Sequence, residues 1–293
     1  MPDELDGTKT IASAVLRTLS AGEPAPFDAR DDAIATTSQR WQQMGSKAKI
    51  AEAHGVINAL PDGRVLEVIG HVAAVGEQLG LALTCSHDAH RWLAEDASAV
   101  GRPLGARALA EMTGYYILSA SHALANITLR ALLIGQPTRA LVDAAFPGAK
   151  GFPPFSDDRD SWKSLSPAVV TKLSAVAQQV AVPSAVNLVT VLSTLAGDGR
   201  WKALDARRSV DFHRWRPQSI TGGVTAKNPW TEHPDGTRSM SIRASSDYIP
   251  PEPGVLVVEA DAALDALHDA MTTWLDQFPA ATRDLGVPLF KTT

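Results

Sequence analysis

The stretch RALAEMTGYYILSASHALANITLRALLI, residues 107–134, decides the fold. It runs for 28 residues with no strict apolar–polar alternation, far beyond the length of an ordinary strand. Ile117, Leu118, Leu124, Ile127, Leu129 and Leu132 make it apolar on more than one side, and Gly135-Gln136-Pro137 stops it. That pattern predicts a long helix from about Arg107 to Ile134, set inside a core. One polar stripe interrupts it: Ser119, His122, Asn126 and Arg130, at i, i+3, i+7 and i+11. Such groups are costly to bury unless hydrogen-bonded. They either bond between helices or line a cleft, and in the second case His122, Asn126 and Arg130 complete a site on a neighbouring helix.

Outward from this stretch the same period recurs. Upstream, Val65, Ile69, Val72, Leu79 and Leu83 share one helical face, with Val68 and Val75 beside them, predicting a helix from Gly63 to about Asp96. The run Gly101-Arg102-Pro103-Leu104-Gly105 reads as a break. Shorter helices are expected over Thr10–Leu19 and Thr36–Ala59, separated by Gly22-Glu23-Pro24-Ala25-Pro26. Downstream, the prolines between 135 and 167 predict a loop with short helical turns. Ser166-Pro167 carries an N-cap serine followed by proline at the first helical position, opening a helix that reaches about Leu195 and bends near Pro183. Gly197-Asp198-Gly199 ends it, and Trp201 to Phe212 forms another. Residues 217–258 turn polar, with a hairpin or ordered loop around Pro234-Asp235-Gly236-Thr237. Asp261 to Phe278 is a last amphipathic helix, with Leu264, Leu267, Met271, Trp274, Leu275 and Phe278 on its apolar side. The expected fold is therefore all-α: an up-and-down helical bundle with an irregular or small β-hairpin insert before the last helix. The expected organisation is an N-terminal helical extension and linker (1–62), the bundle (63–279, insert about 217–258) and a tail (280–293).

Composition narrows the function classes. The chain has 293 residues, with 27 Lys plus Arg against 32 Asp plus Glu, a net charge of −5. That balance argues against coating nucleic acid with the whole surface, though not against a local basic site. Apolar residues at 45% exclude wholesale disorder. One cysteine, Cys85, excludes an intramolecular disulfide framework and a multi-cysteine zinc module. The acidic start Met1-Pro2-Asp3-Glu4 is unlike a secretory signal. Val180–Ala196 is short for a membrane span and carries Pro183 and Asn187, so it reads as a buried helix. A cytoplasmic protein off the membrane is expected, with no cofactor.

One segment carries a chemical signal. Residues 200–217, RWKALDARRSVDFHRWRP, hold six Lys/Arg against two Asp. Cations beside a histidine suit a phosphodiester: they hold the phosphate while imidazole moves a proton near neutral pH. Arg208 and His213 are five positions apart, about 140° around an ideal helix. They converge only if the helix tightens or ends between them, and Pro217 disfavours helix at Arg216.

Arg208-Ser209-Val210-Asp211-Phe212-His213 resembles the arginine, four-to-six residues, histidine motif of the HEPN superfamily, and Arg207 also fits the spacing. The resemblance covers about residues 201–214, including Trp201, Leu204 and Arg214. It implies a metal-independent endoribonuclease, toxin or defence related, acting as a homodimer whose two motifs meet at the interface. His213 would assist attack of a ribose 2′-hydroxyl. Arg208 would steady the phosphate, with Arg207 as its rival and Ser209 and Arg214 in support. Ser209 stands where the family often has Asn, Asp or His. The alternative is a catalytically silent bundle that binds RNA, a nucleotide or a regulatory partner protein. A third is a structural dimer without nucleic-acid contact.

Other motifs give less. Cys85, His87, Asp88 and His90 lack a second ligand cluster, so no metal is expected there and they read as an exposed polar helix surface. Asp157-Asp158-Arg159-Asp160 lacks the spacing of a calcium loop. The sequence has no Gly-rich phosphate loop, no GxSxG elbow and no HExxH.

Overall fold

Long apolar-faced segments become helices, and here they pack around the last of them. The computed structural model describes residues 26–53, 64–94, 101–135, 137–147, 162–213, 230–240 and 251–286. Among these the fold is an all-α bundle of eight helices with one small hairpin. The helices are α1 (Ala29–Ala53), α2 (Arg64–Ala94), α3 (Gly101–Ile134), α4 (Arg139–Ala145), α5 (Pro167–Val180), α6 (Pro183–Gly197), α7 (Gly199–His213) and α8 (Pro253–Asp284). Strands β1 (Trp230–Glu232) and β2 (Arg238–Met240) pair antiparallel, with Trp230 opposite Met240. The expected helix at Thr10–Leu19 lies outside the described residues.

α8 is the hub, packing against α1, α2, α3, α6 and α7. Its foreseen apolar side, Leu264, Leu267, Met271, Trp274, Leu275 and Phe278, is buried. Trp274 stacks between Trp41 of α1 (centroids 4.8 Å apart) and Phe278 (4.3 Å). Stacked pairs of this kind add about 0.5–1.5 kcal/mol beyond area burial. Both indoles are satisfied: Trp41 Nε1 donates to the Met271 carbonyl at 3.2 Å, and Trp274 Nε1 donates to Thr128 Oγ1 on α3 at 2.8 Å. Ile34 and Trp41 thus share one core with Leu264 and Trp274, so the core runs across residue 62 and takes in α1.

Several boundaries differ from the sequence reading. α3 starts at Gly101, because Pro103 falls in its first turn, where no backbone N–H is needed. The expected single bent helix from Ser166 is two helices. Ala181 sits between them in the left-handed region (φ 55°), and Pro183 begins the second. Ser166 does cap as expected, its Oγ accepting from Val169 N–H at 3.3 Å. α8 starts at Pro253, two turns before Asp261, and continues through Pro279 to Asp284. The Pro234–Thr237 turn closes with Gly236 at φ 79° and the Gly236 N–H on the His233 carbonyl at 2.9 Å. No described helix is long and apolar enough to cross a membrane; α6, which covers most of Val180–Ala196, buries Leu188, Val189, Leu192 and Leu195.

α1 and α2 meet backbone to backbone at Gly76. A Cβ placed there would lie 2.6 Å from Trp41 Cβ and 2.8 Å from the Ser38 carbonyl oxygen. Ser38 Oγ donates to the Gly76 carbonyl at 2.7 Å, which fixes the crossing. Gly76→Ala is therefore expected to cost about 1–3 kcal/mol by overpacking, despite the better helix propensity of alanine. A lowered midpoint in urea denaturation checks this; an unchanged or raised midpoint would show that the helices move apart freely.

Candidate functional site

The site begins with how α7 is docked. Asp198 caps it, its Oδ1 accepting from Arg200 N–H at 2.8 Å. Trp201 is buried and donates from Nε1 to Ser121 Oγ on α3 at 2.9 Å. Leu204 packs over Gly114 so closely that a Cβ at that glycine would sit 2.9 Å from Leu204 Cδ1. Arg208 is seven residues after Trp201 and four after Leu204, on the same face one turn further along. That face brings its guanidinium to His122 of α3, with Nη1 3.5 Å from His122 Nε2. Arg207, one position back, turns to α8 and forms an ion pair with Glu259.

α7 remains helical from Gly199 through His213. The helix end between Arg208 and His213 that would bring them together is not there, and their backbone positions lie about 140° apart around the axis. The side chains of Ser209 and His213, and the whole of Arg214, lie outside the described residues.

The polar stripe of α3 mostly ties down the segment before α5. Asn126 Nδ2 donates to the Lys163 carbonyl at 2.6 Å, and its Oδ1 accepts from Lys163 N–H at 3.0 Å. Arg130 Nη1 donates to Asn126 Oδ1 at 3.2 Å, and the guanidinium lies over the Trp162 ring, 5.6 Å from its centroid. Asn126 and Arg130 thus tie α3 to the segment at Trp162 and Lys163, with Arg130 Nε buried and left without a hydrogen bond. Of the three stripe residues expected to support the site, His122 meets α7 through Arg208.

The state of His122 follows from its other nitrogen. Leu165 N–H donates to Nδ1 at 3.0 Å. A backbone N–H is always a donor, so Nδ1 holds the lone pair and Nε2 carries the hydrogen. Burial, then the Arg208 charge, push the His122 pKa below its ordinary value, with Asp205 opposing. The ring is therefore neutral, and its Nε2–H faces the N–H groups of Arg208. The Nε2–H of His122 and the guanidinium of Arg208 thus lie side by side, 3.5 Å apart.

Beside this pair lies a cavity of about 400 Å³ between α3, α7 and α8. Its floor includes Ala110, Gly114, Leu118, Leu204, Leu256 and Ala260. Its rim carries Arg107, Glu111, Tyr115, Arg207, Arg208 and Glu259. Arg107 Nε donates to Glu111 Oε1 at 2.9 Å. Arg208 belongs to both the cavity and the donor pair.

The polar segment of α2 is the exposed surface expected of it only at His90. Cys85 and Asp88 are buried. His87 Nδ1 bonds Asp31 Oδ2 of α1 at 3.0 Å, His90 bonds Asp261 of α8, and Ser86 bonds Asp261 as well. These residues join three helices. Burial, reinforced by the Asp88 charge, pushes the Cys85 thiol up to about 12, which makes it a poor nucleophile. Among the described residues, no group of three or more His, Cys, Asp or Glu is placed to hold a metal ion. Comparison of the chain with protein-family models, curated proteins and solved structures finds no match.

The lowered pKa of His122 gives a signed expectation. The folded state binds fewer protons than the unfolded one below the ordinary value of 6.5. Stability is therefore full above 6.5 and falls as pH drops through the window beneath it. His122→Asn keeps an acceptor for Leu165 N–H and should flatten that slope in denaturation series from pH 7.5 to 5. Part of the slope should stay, because burial lowers His268 in the same direction. A slope as steep as that of the parent chain would contradict the neutral state of His122.

Proposed function

We propose that the chain is a helical bundle that binds the phosphate of RNA or of a nucleotide, and that it binds rather than cuts. The observation that carries this is the His122–Arg208 pair, two donor groups 3.5 Å apart at the edge of a cavity. Charge assistance from Arg208 suits a phosphate oxygen; Arg107 and Arg207 are paired with Glu111 and Glu259, so the rim keeps a net single positive charge. Cleavage of the HEPN kind needs an imidazole lone pair beside the arginine-held phosphate. The His122 lone pair is used by Leu165 N–H. His213 is carried by a continuous helix to a backbone position about 140° away from Arg208.

The test uses purified full-length protein, a fluorescent single-stranded RNA and EDTA. Binding is expected, weakening with salt and falling about tenfold or more in Arg208→Ala, the scale of one charge-assisted hydrogen bond. Lys202→Ala, an exposed position elsewhere on α7, should change it little. No Arg208-dependent binding would overturn the proposal. RNA cleavage lost in His213→Ala would replace it with the homodimeric endoribonuclease that the arginine–histidine spacing resembles.

A further inference from the structure

The segment ahead of α5 lies along α3 as a strap, and three residues of the α3 stripe hold it at successive turns. His122 Nδ1 accepts from Leu165 N–H at 3.0 Å. Asn126 holds both backbone groups of Lys163, at 2.6 and 3.0 Å. The Arg130 guanidinium lies over the Trp162 ring, 5.6 Å from its centroid. The strap is anchored at its far end, where the Leu165 side chain is buried and Ser166 caps α5. Trp162 and Ser164 are exposed. Of the three fastenings, only the one at His122 changes state between pH 5 and 8. An amide and a guanidinium stay as they are. The charged groups acting on the imidazole are Arg208 and Asp205, both on α7. The strap adds Lys163, the one charged residue among 162–166.

We propose that His122 is a pH-sensitive latch on this strap: the neutral ring holds it closed, and protonation opens it. The neutral imidazole offers the Nδ1 lone pair to Leu165 N–H. An imidazolium carries hydrogen on both nitrogens, so Nδ1–H would face Leu165 N–H, donor against donor. At the other edge of the ring, the new charge would face the Arg208 guanidinium, 3.5 Å from Nε2. Burial disfavours the charged ring as well. The first and last of these costs are relieved when the Ser164–Leu165 peptide turns away and water reaches Nδ1. Hydration also screens the imidazolium from Arg208. Turning that peptide moves the N–H and leaves the Leu165 side chain in the core. The strap therefore opens locally, as pH falls below the ordinary histidine value of 6.5, with the core closed behind it. The latch works through the partners that His122 already has and needs no phosphate.

Amide hydrogen exchange on the full chain, read as protection relative to an unstructured chain at pH 7.5 and 5.0, tests the latch. Protection of the Leu165 N–H should fall about tenfold at the lower pH, the scale of one hydrogen bond. Lys163 should fall less, because Asn126 still holds it. The Val170 N–H, bonded to the Ser166 carbonyl in the first turn of α5, should keep its protection. His122→Asn, which retains an acceptor but does not titrate, should leave Leu165 protected at both pH values. If that buried variant does not fold, two changes on α7 carry the test. Arg208→Gln should raise the midpoint of the Leu165 transition and Asp205→Asn should lower it, because the first removes a charge that opposes protonation and the second one that favours it. Leu165 protection indifferent to pH would overturn the proposal, as would a fall shared with Val170, which would mark acid loosening of the whole bundle. A transition that persists in His122→Asn, or a midpoint that neither α7 variant moves, would overturn it equally.

Discussion

Trp274 is the constraint on which the rest of the molecule depends. It sits in the middle of α8, stacked between Trp41 and Phe278, with its indole N–H on Thr128. That one side chain fixes α1 and α3 relative to α8, by dispersion on its faces and a hydrogen bond at its edge. Trp201 repeats the device one layer out, its N–H on Ser121 holding α7 to α3. Ser121 is followed directly by His122, so the bond that docks α7 also sets where Arg208 meets the imidazole. The site inherits its geometry from the core.

The pocket reflects small residues where three helices meet. Protein interiors are close-packed, and unfilled space forfeits contacts on its lining. Ala110, Gly114 and Ala260 nevertheless leave a gap of about 400 Å³ at the junction of α3, α7 and α8. Below it, Cys85, Ala89 and Leu109 join Leu256 and Val257 in a separate small cluster. The main core, organised by the tryptophans, lies further along α8. The His87–Asp31 and His90–Asp261 bonds add a polar clamp across α1, α2 and α8 near the same small cluster.

The fold was legible because its signals are local. The periodic apolar face of α8, the Ser166-Pro167 start and the Pro234–Gly236 turn each follow from neighbouring residues, and each is present. The errors fell where tertiary packing decides. Val255-Leu256-Val257-Val258 shows no helical period, yet α8 includes it: Leu256 and Val257 are buried while Val255 and Val258 stay exposed. The break at Ala181 rests on a left-handed conformation that alanine seldom adopts. The site was half legible. Basic residues at 207 and 208 stood out in an acidic chain, and His122 stood out in an apolar helix. That Arg208 meets His122, 86 residues earlier, is a property of the α3–α7 contact and is invisible to spacing. The small residues that open the cavity are unremarkable one helix at a time.

The central claim is that His122 is neutral with its hydrogen on Nε2, offered together with Arg208 to an anionic oxygen. Imidazole nitrogen-15 spectra of the full chain at pH 7, assigned with His122→Asn, test it directly. A protonated Nε2 and an unprotonated Nδ1 are expected, with the Nε2 signal shifting when inorganic phosphate is added and not shifting in Arg208→Ala. A hydrogen on Nδ1, an imidazolium, or an Nε2 signal indifferent to phosphate would contradict it.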